Sequence, residues 1–175
     1  MMMQRIHVMG ISGSGKTTVA GRIAARLGVA HVELDAIHWQ PNWAMLATEE
    51  FRIRVTEALA GDAWVVDGNY NKVRDLVWER AQQVIFLDLP LGLTIGRLLS
   101  RTITRSLRQE RLWAGNRENL WTAFLSRDSV IYYALRSRKR RQREFESAQN
   151  DPAYGHMHFG RLSSPAEIEA FIESR

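Results

Sequence analysis

The 175-residue chain contains no cysteine, and this absence excludes several kinds of site. A disulfide framework, a thiolate metal site and a cysteine nucleophile are all ruled out. No apolar run approaches the length of a transmembrane helix, and the N-terminal segment lacks the apolar core of a signal peptide. Internal repeats, low-complexity tracts and interdomain linkers are missing too. We therefore expect one domain over residues 1–175, in a cytoplasmic protein without a membrane partner.

Acidic residues are scarce in one segment of the chain. Between Arg97 and Arg143 lie thirteen of the 24 basic residues but only three of the 19 acidic ones, while the net charge of the whole chain is +5. A local excess of positive charge favours an anionic partner. The partner is either the phosphates of a bound nucleotide or a nucleic acid.

A glycine-rich motif stands near the N-terminus. Residues 10–17 follow the pattern G-x-x-x-x-G-K-T, between an apolar run at 6–9 and a helical pattern at 18–27. In this motif backbone N–H groups surround phosphate oxygens, the lysine contacts the β- and γ-phosphates, and the last hydroxyl binds Mg²⁺. The sequence thus predicts a nucleoside triphosphate site. Its predicted ligands are Gly10, Ser12, Gly13, Ser14, Gly15, Lys16, Thr17 and Thr18.

Apolar runs and helical patterns alternate along the rest of the chain. We predict further strands at residues 31–35, 63–67, 84–89 and 156–159, and helices at 48–59, 91–108, 118–148 and 165–173. Thr48 is expected to cap the helix that it begins, and the helix at 118–148 is expected to break near 126–129. Strands separated by helices form right-handed βαβ units, so the fold class is α/β, a parallel sheet with helices on both faces.

Three carboxylates fall at the predicted ends of strands, where such sheets bind ligands. Asp67 and Asp88 each fit the pattern of a Mg²⁺ carboxylate, and the pattern alone slightly favours Asp88. The structural alternatives are a turn former at Asp67 and a helix cap at Asp88. Asp35 is either a helix cap or a group that contacts the acceptor. A carboxylate repels phosphate, so Asp35 at the acceptor would favour a hydroxyl-bearing acceptor over a nucleoside monophosphate.

Aromatic and basic side chains are further candidates for contacts with the substrate or the nucleotide. Trp39 and Trp43 either stack on a ring of the substrate or pack their loop on the helix at 48–59, and His38 lies in the same loop. The arginines at 97, 101 and 105 recur every four residues and therefore share one helical face, as a nucleotide contact or an exposed stripe. The stretch 136–143 holds six cations, of which one is expected to close over the transferred phosphate while the others are solvated.

The whole chain resembles the adenylate-kinase-like P-loop kinases and, within them, the bacterial DNA topology modulation proteins. The P-loop carries this resemblance together with L-D-x-x-x-W-x-P-x-W at residues 34–43 and W-x-x-D-G-N-Y at residues 64–70. The match is weakest between 105 and 147. It implies a three-layer P-loop fold with a five-stranded parallel sheet, a helical basic lid at about 106–145, and use of ATP with Mg²⁺.

The resemblance also implies roles for single residues. Asp67, rather than Asp88, would hold Mg²⁺ with Thr17, and Asp35 would be the base or anchor for the acceptor. The predicted catalytic set is Lys16, Asp35, Asp67 and Arg101, with Arg138 added from the basic stretch 136–143. Nucleotide contacts outside the P-loop would come from Arg97 on adenine, Arg101 on phosphate, and Arg161 in a loop at 160–163. The implied acceptor site consists of Asp35, His38, Trp39, Trp43, Asn69, Tyr70 and Arg74.

One departure from the resembling kinases bears on the acceptor. Nucleoside monophosphate kinases often follow D-G with a pair ending in an arginine that grips the acceptor phosphate, whereas this chain has Asn69 and Tyr70 there. Arg74, four residues further along the chain, is the candidate for the role of that arginine. We therefore expect an ATP-dependent kinase whose acceptor is a small nucleotide-like or hydroxyl-bearing molecule. The alternative is a nucleotide-regulated ATPase that binds nucleic acid through Arg97–Arg143.

Overall fold

The computed structural model describes residues 4–108, 111–116 and 130–175. The strands in this part are β1 (Arg5–Gly10), β2 (Ala30–Glu33), β3 (Trp64–Asp67), β4 (Gln83–Leu87) and β5 (His158–Leu162). The α-helices are α1 (Lys16–Leu27), α2 (Leu34–His38), α3 (Thr48–Ala58), α4 (Arg74–Arg80), α5 (Leu91–Leu107), α6 (Val130–Gln149) and α7 (Pro165–Glu173). Short 3-10 helices lie at Pro41–Trp43, Asn71–Val73, Trp113–Gly115 and Pro152–Tyr154.

The strands form one parallel sheet in the order β2-β3-β1-β4-β5. The predicted α/β class and five-stranded parallel sheet are confirmed. Strand β1 is central, with β3 and β4 on either side. The loop after β1 therefore begins between Asp67, the last residue of β3, and Asp88, the residue that follows β4.

Alternation along β1 divides the core into two layers. Ile6 and Val8 contribute to the cluster formed with α1 and α7, whereas Met9 contributes to the cluster formed with α3, α4 and α6. In the second cluster Phe145 of α6 stacks on Phe86 of β4, with ring centroids 5.2 Å apart. Full burial of a side chain of this size contributes roughly 1.5–3 kcal/mol, so this contact helps to hold α6 on the sheet.

The predicted strand at 31–35 is wrong at its C-terminal end. Strand β2 ends at Glu33, and Asp35 lies in the first turn of α2. Leu34 and His38 are both buried, at helical spacing. Because Val32 is buried as well, residues 32 and 34 also fit the period of a strand, and the sequence pattern does not separate the two structures.

Other boundaries differ too. Strand β4 ends before Asp88, whose N–H donates to the carbonyl of Leu162, and β5 begins two residues later than predicted. Thr48 is the first residue of α3 rather than its cap, because the cap position is occupied by Ala47. Helix α4 was not predicted. The later part of the predicted helix at 118–148 corresponds to α6, while residues 118–129 and the predicted break near 126–129 lie outside the described residues.

The C-terminal helix forms as predicted. Ser164 caps α7 by accepting a hydrogen bond from the N–H of Glu167, whose side chain accepts from the N–H of Ser163. Among the helices that the structure describes, none has both the length and the apolar character needed to cross a membrane.

Candidate active site

The loop between β1 and α1 is built for close backbone approach. Gly13 has φ 82°, and a Cβ at this position would lie 2.5 Å from the backbone oxygen of Thr94 in α5. A side chain there would be strained and would also displace α5. Gly13 therefore keeps α5 against the P-loop.

The positive end of the helix dipole of α1 lies at this loop. Its cap residue, Gly15, has no side chain to bond the first N–H groups, and no acidic residue lies in the first turn. The buried Oγ of Ser14 has no hydrogen-bond partner among the described residues. A helix terminus with these features favours an anion such as a phosphate chain.

Asp67 lies beside the start of α1 and is held from two sides. The hydroxyl of Thr17 donates to Oδ1 of Asp67 at 3.0 Å, and Nε2 of His31 lies 2.8 Å from Oδ2. Asp67 is only 1% exposed. The hydrogen bond to Asp67 raises the pKa of His31, and burial of the ring opposes that rise. Asp67 thus contacts the P-loop helix.

The donor set at this point fits Mg²⁺. A hydroxyl and a carboxylate are the hard oxygen ligands that Mg²⁺ takes, usually with substrate phosphates completing its shell. Within the described ranges no group of three His, Cys, Asp or Glu side chains could hold a metal ion. Thr17 and Asp67 therefore suit a Mg²⁺ ion shared with a nucleotide.

Lys16 is half-buried, and the charges of two carboxylates act on its amine. Burial lowers its pKa, while the charges of Asp35 and Asp67 oppose the shift and those of Arg101 and Arg141 add to it. Lys16 is therefore within electrostatic reach of both Asp67 and Asp35. The two arginines add positive charge near the same amine.

Asp35 is paired with Tyr70 across the site. The phenol O–H of Tyr70, which follows β3, donates to Oδ1 of Asp35. Although Asp35 lies in the first turn of α2, the side-chain cap of a helix is not its role, because the cap position belongs to Glu33. The structure therefore brings together two residues of the predicted acceptor site.

An aromatic cluster extends from this pair. The ring of His38 lies 4.7 Å from that of Tyr70 and 5.2 Å from that of Trp39, and Trp39 meets Trp43 edge-on at 5.5 Å. His38 also contacts Phe51 of α3, at 4.7 Å. Burial and the charge of Lys72 lower the pKa of His38, although the charge of Asp35 opposes them. The Nδ1 atom of His38 is buried and has no partner among the described residues.

A residue distant in sequence fixes the loop of this cluster. Asn42 and Trp43 have φ values of 61° and 57°, which side chains other than glycine rarely adopt. The side-chain oxygen of Asn116 accepts from the N–H of Trp43 at 3.0 Å, and its Nδ2 donates to the carbonyls of Gln40 and Trp113. We did not predict Asn116 as a site residue, because no local pattern connects positions 73 residues apart.

Asn69 and Arg74 contact other parts of the protein. The Nδ2 of Asn69 donates to the carbonyl of Gly10 at 2.6 Å, so this side chain braces the end of β1. The guanidinium of Arg74 lies over the ring of Trp78, 5.1 Å from its centroid. Both residues line a small cavity with Tyr70 and Arg141. Their predicted contact with an acceptor stays a prediction.

The arginines of α5 share one face, as expected. Arg97, Arg101 and Arg105 lie along one open face of α5, with glycine, serine and threonine residues of the same helix between them. A Cβ on Gly15 would lie 3.8 Å from Nη1 of Arg97, so this face begins beside the P-loop.

Two arginines of α6, Arg138 and Arg141, have different partners. Arg138 donates to Oδ1 of Asp88 at 3.2 and 3.3 Å, and Gln142 donates to both oxygens of Asp88. Arg141, only 4% exposed, donates to the carbonyl of Asn69 and to the side chain of Asn71. Asp88 thus anchors α6, and Arg141 of this helix is within electrostatic reach of Lys16, as Arg101 of α5 is. The sequence favoured Arg138.

Arg161 lies in a strand rather than in the predicted loop. The predicted loop at 160–163 is wrong, because β5 continues to Leu162. Arg161 forms ion pairs with Glu146 and Asp88 and lies over the rings of Phe86 and Phe145. Its contact with adenine stays a prediction.

Solved structures share this arrangement of strands and helices. Shikimate kinase from Acinetobacter baumannii in complex with shikimate matches with a TM-score of 0.58 and 16% identity, over 98% of this chain and 90% of the other. A gluconokinase from Sinorhizobium meliloti 1021 has a TM-score of 0.51 and 20% identity, over 98% and 94%. A sugar kinase from Janibacter sp. HTCC2649 has a TM-score of 0.51 and 22% identity, over 99% and 92%.

The chain has the fold of P-loop kinases. No protein-family model matches the sequence. One curated relative, the uncharacterized protein YqaC of Bacillus subtilis (strain 168), is 24% identical over 106 residues, which is 59% of this chain and 60% of that protein. The chain thus aligns with less than two thirds of this relative. The finer resemblance to DNA topology modulation proteins stays a prediction.

Proposed function

We propose that the protein is an ATP-dependent phosphotransferase that moves the γ-phosphate to a small hydroxyl-bearing acceptor. The observation that carries this proposal is that Asp67, which accepts from Thr17 of the P-loop helix, and Asp35, which accepts from Tyr70, are both within electrostatic reach of Lys16. Asp67 serves the Mg²⁺ of the donor, and Asp35 serves the acceptor.

The donor half uses the P-loop and α5. The backbone N–H groups at the start of α1, with Ser14 and Lys16, bind the phosphates, and the face of α5 that carries Arg97 and Arg101 contacts the rest of the nucleotide. Thr17 and Asp67 would hold Mg²⁺, which when bound would neutralise phosphate charge. The kinase fold supports ATP as the donor, and the geometry of Thr17 and Asp67 supports the metal.

The acceptor half uses Asp35. The acceptor oxygen attacks the γ-phosphorus, its proton passes to the Asp35 carboxylate, and the bond from the γ-phosphorus to the bridging oxygen breaks. ADP leaves with that electron pair. The hydrogen bond from Tyr70 holds Asp35 in place for this step. Lys16, Arg101 and Arg141 stabilise the negative charge on the phosphoryl oxygens, which is the main catalytic requirement of phosphoryl transfer.

The surroundings of Asp35 favour one class of acceptor. A carboxylate accepts a hydrogen bond from a hydroxyl but repels a phosphate. The rings of Trp39 and Trp43, which meet edge-on, provide apolar surface, and the buried ring of His38 packs between Trp39 and Tyr70. These features favour a hydroxylated ring or chain over a nucleoside monophosphate.

The contacts of α6 argue against nucleic-acid binding as the main function. Arg138 pairs with Asp88, while Arg140 and Arg141 pair with Glu144. Cations already paired within the protein contribute little to a phosphate-binding surface. If ATP turnover nevertheless required DNA and fell steeply with salt, the nucleic-acid alternative would replace this proposal.

The proposal is tested by ADP release from Mg-ATP in the presence of sugars, polyols, hydroxy acids, nucleosides and nucleoside monophosphates. We expect stimulation by a hydroxylated compound that lacks phosphate, lost in Lys16→Ala and in Asp35→Asn. Stimulation only by nucleoside monophosphates would contradict the acceptor class. ADP release that no compound in the panel stimulates would contradict the kinase proposal.

A further inference from the structure

The carboxylate of Asp67 is held by one hydrogen bond at each oxygen. Thr17 of α1 binds Oδ1 at 3.0 Å, and Nε2 of His31 in β2 binds Oδ2 at 2.8 Å. A carboxylate only accepts, so the proton of this second bond lies on Nε2 of His31. The terminal torsion of an aspartate side chain has a broad energy profile. The two bonds together therefore fix the orientation of the carboxylate plane.

The position of His31 follows from the register of the sheet. His31 pairs with Val65, and Asp67 lies two residues further along β3, so His31 and Asp67 are diagonal neighbours on one face. That face carries α1. A Cβ on Gly21 of α1 would lie 3.4 Å from Nδ1 of His31, so the ring is seated against a glycine of the P-loop helix.

The hydrogen bond from His31 matters because the Asp67 carboxylate is buried. Asp67 is 1% exposed, and a buried carboxylate oxygen without a hydrogen-bond donor is costly. Loss of the His31 ring would remove the donor to Oδ2 and leave Thr17 as the remaining side-chain partner shown for this carboxylate. The carboxylate would then be able to rotate away from the nucleotide side of the P-loop.

We propose that His31 is a positioning residue that orients the Asp67 carboxylate toward the Mg²⁺ ion shared with the nucleotide. This inference rests on the proposed function, because it requires a metal–nucleotide complex at the P-loop. His31 acts through Asp67 and contacts neither the metal nor the nucleotide. Partners of this kind typically change metal affinity by about 10- to 100-fold when they are removed.

The test uses Mn²⁺, which reports its own binding by electron paramagnetic resonance, titrated into the protein with ADP. His31→Ala is expected to weaken Mn²⁺ binding to the protein–ADP complex by about 10- to 100-fold. ADP binding in EDTA should stay at the wild-type level. His31→Gln, which keeps an N–H donor, should restore most of the Mn²⁺ affinity. His156→Ala is the matched control, since His156 bonds the carbonyl of Trp78 in another part of the fold.

Two results would overturn the inference alone. One is wild-type Mn²⁺ affinity in His31→Ala, and the other is an equal loss of Mn²⁺ binding and of metal-free ADP binding, which would indicate general damage to the site. If the wild-type protein bound ADP with no dependence on Mn²⁺, both the inference and the metal part of the proposed function would be wrong. The wild-type titration therefore distinguishes the two failures.

Discussion

The indole N–H of Trp78 donates to Nδ1 of His7 at 2.8 Å, and this bond fixes the protonation of a buried histidine. Indole nitrogen is a donor only, so Nδ1 of His7 accepts, and Nε2 carries the proton that is donated to the carbonyl of Gly68 at 2.8 Å. Gly68 follows Asp67 directly. His7 therefore joins α4 to the end of β3, next to the active site.

The first prediction concerns the pH dependence of stability. Burial lowers the pKa of His7 to about 4, below its ordinary value of 6.5. Because the folded-state pKa is the lower one, the unfolded state takes up the proton first. The contribution of neutral His7 is full above pH 6.5 and is lost as pH falls to about 4, by about 3 kcal/mol in total.

Urea unfolding at a series of pH values measures this loss. His7→Gln keeps one donor and one acceptor for Gly68 and Trp78 and has no charge change, so its stability should fall less than that of wild type between pH 6.5 and 4. His158→Gln, at an exposed position of β5, is the control. Equal pH dependence in wild type and His7→Gln would contradict the account.

The second prediction separates the two candidate Mg²⁺ carboxylates. Asp67→Asn is expected to raise the Mg²⁺ concentration needed for half-maximal ADP release by at least about tenfold. Asp88→Asn weakens the contacts with Arg138 and Arg161 and should lower stability by on the order of 1–3 kcal/mol, with unchanged Mg²⁺ dependence. Mg²⁺ titrations and thermal unfolding of both variants show which of the two carboxylates binds the metal. The reverse pattern would assign the metal to Asp88.

The third prediction concerns the acceptor base. Asp35→Asn should lower acceptor-stimulated turnover by about 100- to 10,000-fold, the usual contribution of a general base, while ATP affinity changes little. Asp62→Asn makes the same change at an exposed position and should have no effect. Steady-state kinetics and equilibrium ATP binding measure the two quantities. Turnover that survives in Asp35→Asn would remove Asp35 from the proton-transfer step.

The fourth prediction concerns the loop that carries Trp43. Asn116 is 6% exposed and accepts a hydrogen bond from the N–H of Trp43 in this loop. Asn116→Ala should lower stability by roughly 1–3 kcal/mol, because buried polar groups lose their partners. It should also release the left-handed backbone at Trp43 and change its fluorescence, which a Trp43→Phe background identifies. An Asn150→Ala control removes one hydrogen bond at an exposed site. Unchanged fluorescence would contradict this role for Asn116.

Local spacing was enough to predict the P-loop, the βαβ alternation and the common face of the α5 arginines. Each depends on neighbours in sequence. The boundary between β2 and α2 was missed because residues 32 and 34 are buried whether the chain continues as a strand or turns into a helix. Helix α4 did leave a signal, since Val73 and Val77 are buried four residues apart.

The hydrogen-bond partners of the site residues depend on tertiary packing, so local spacing in the sequence does not predict them. The sequence does not say that His31 bonds Asp67, or that Asn116 bonds the Trp43 loop. The only signal for His31 is a polar residue within a strand that leads to the site. The choice between Arg138 and Arg141 depends on how α6 rotates about its axis, and the contacts of Asp88 and Asn69 fix that rotation.

The central claim is that the γ-phosphate of ATP is transferred to a hydroxyl near Asp35. The most direct measurement follows the label from γ-³²P-ATP with each acceptor of the panel. The account predicts that one hydroxylated compound takes up the label as a phosphate ester, and that Lys16→Ala abolishes this transfer. Label released only as inorganic phosphate, with every acceptor and at the same rate as without one, would contradict it.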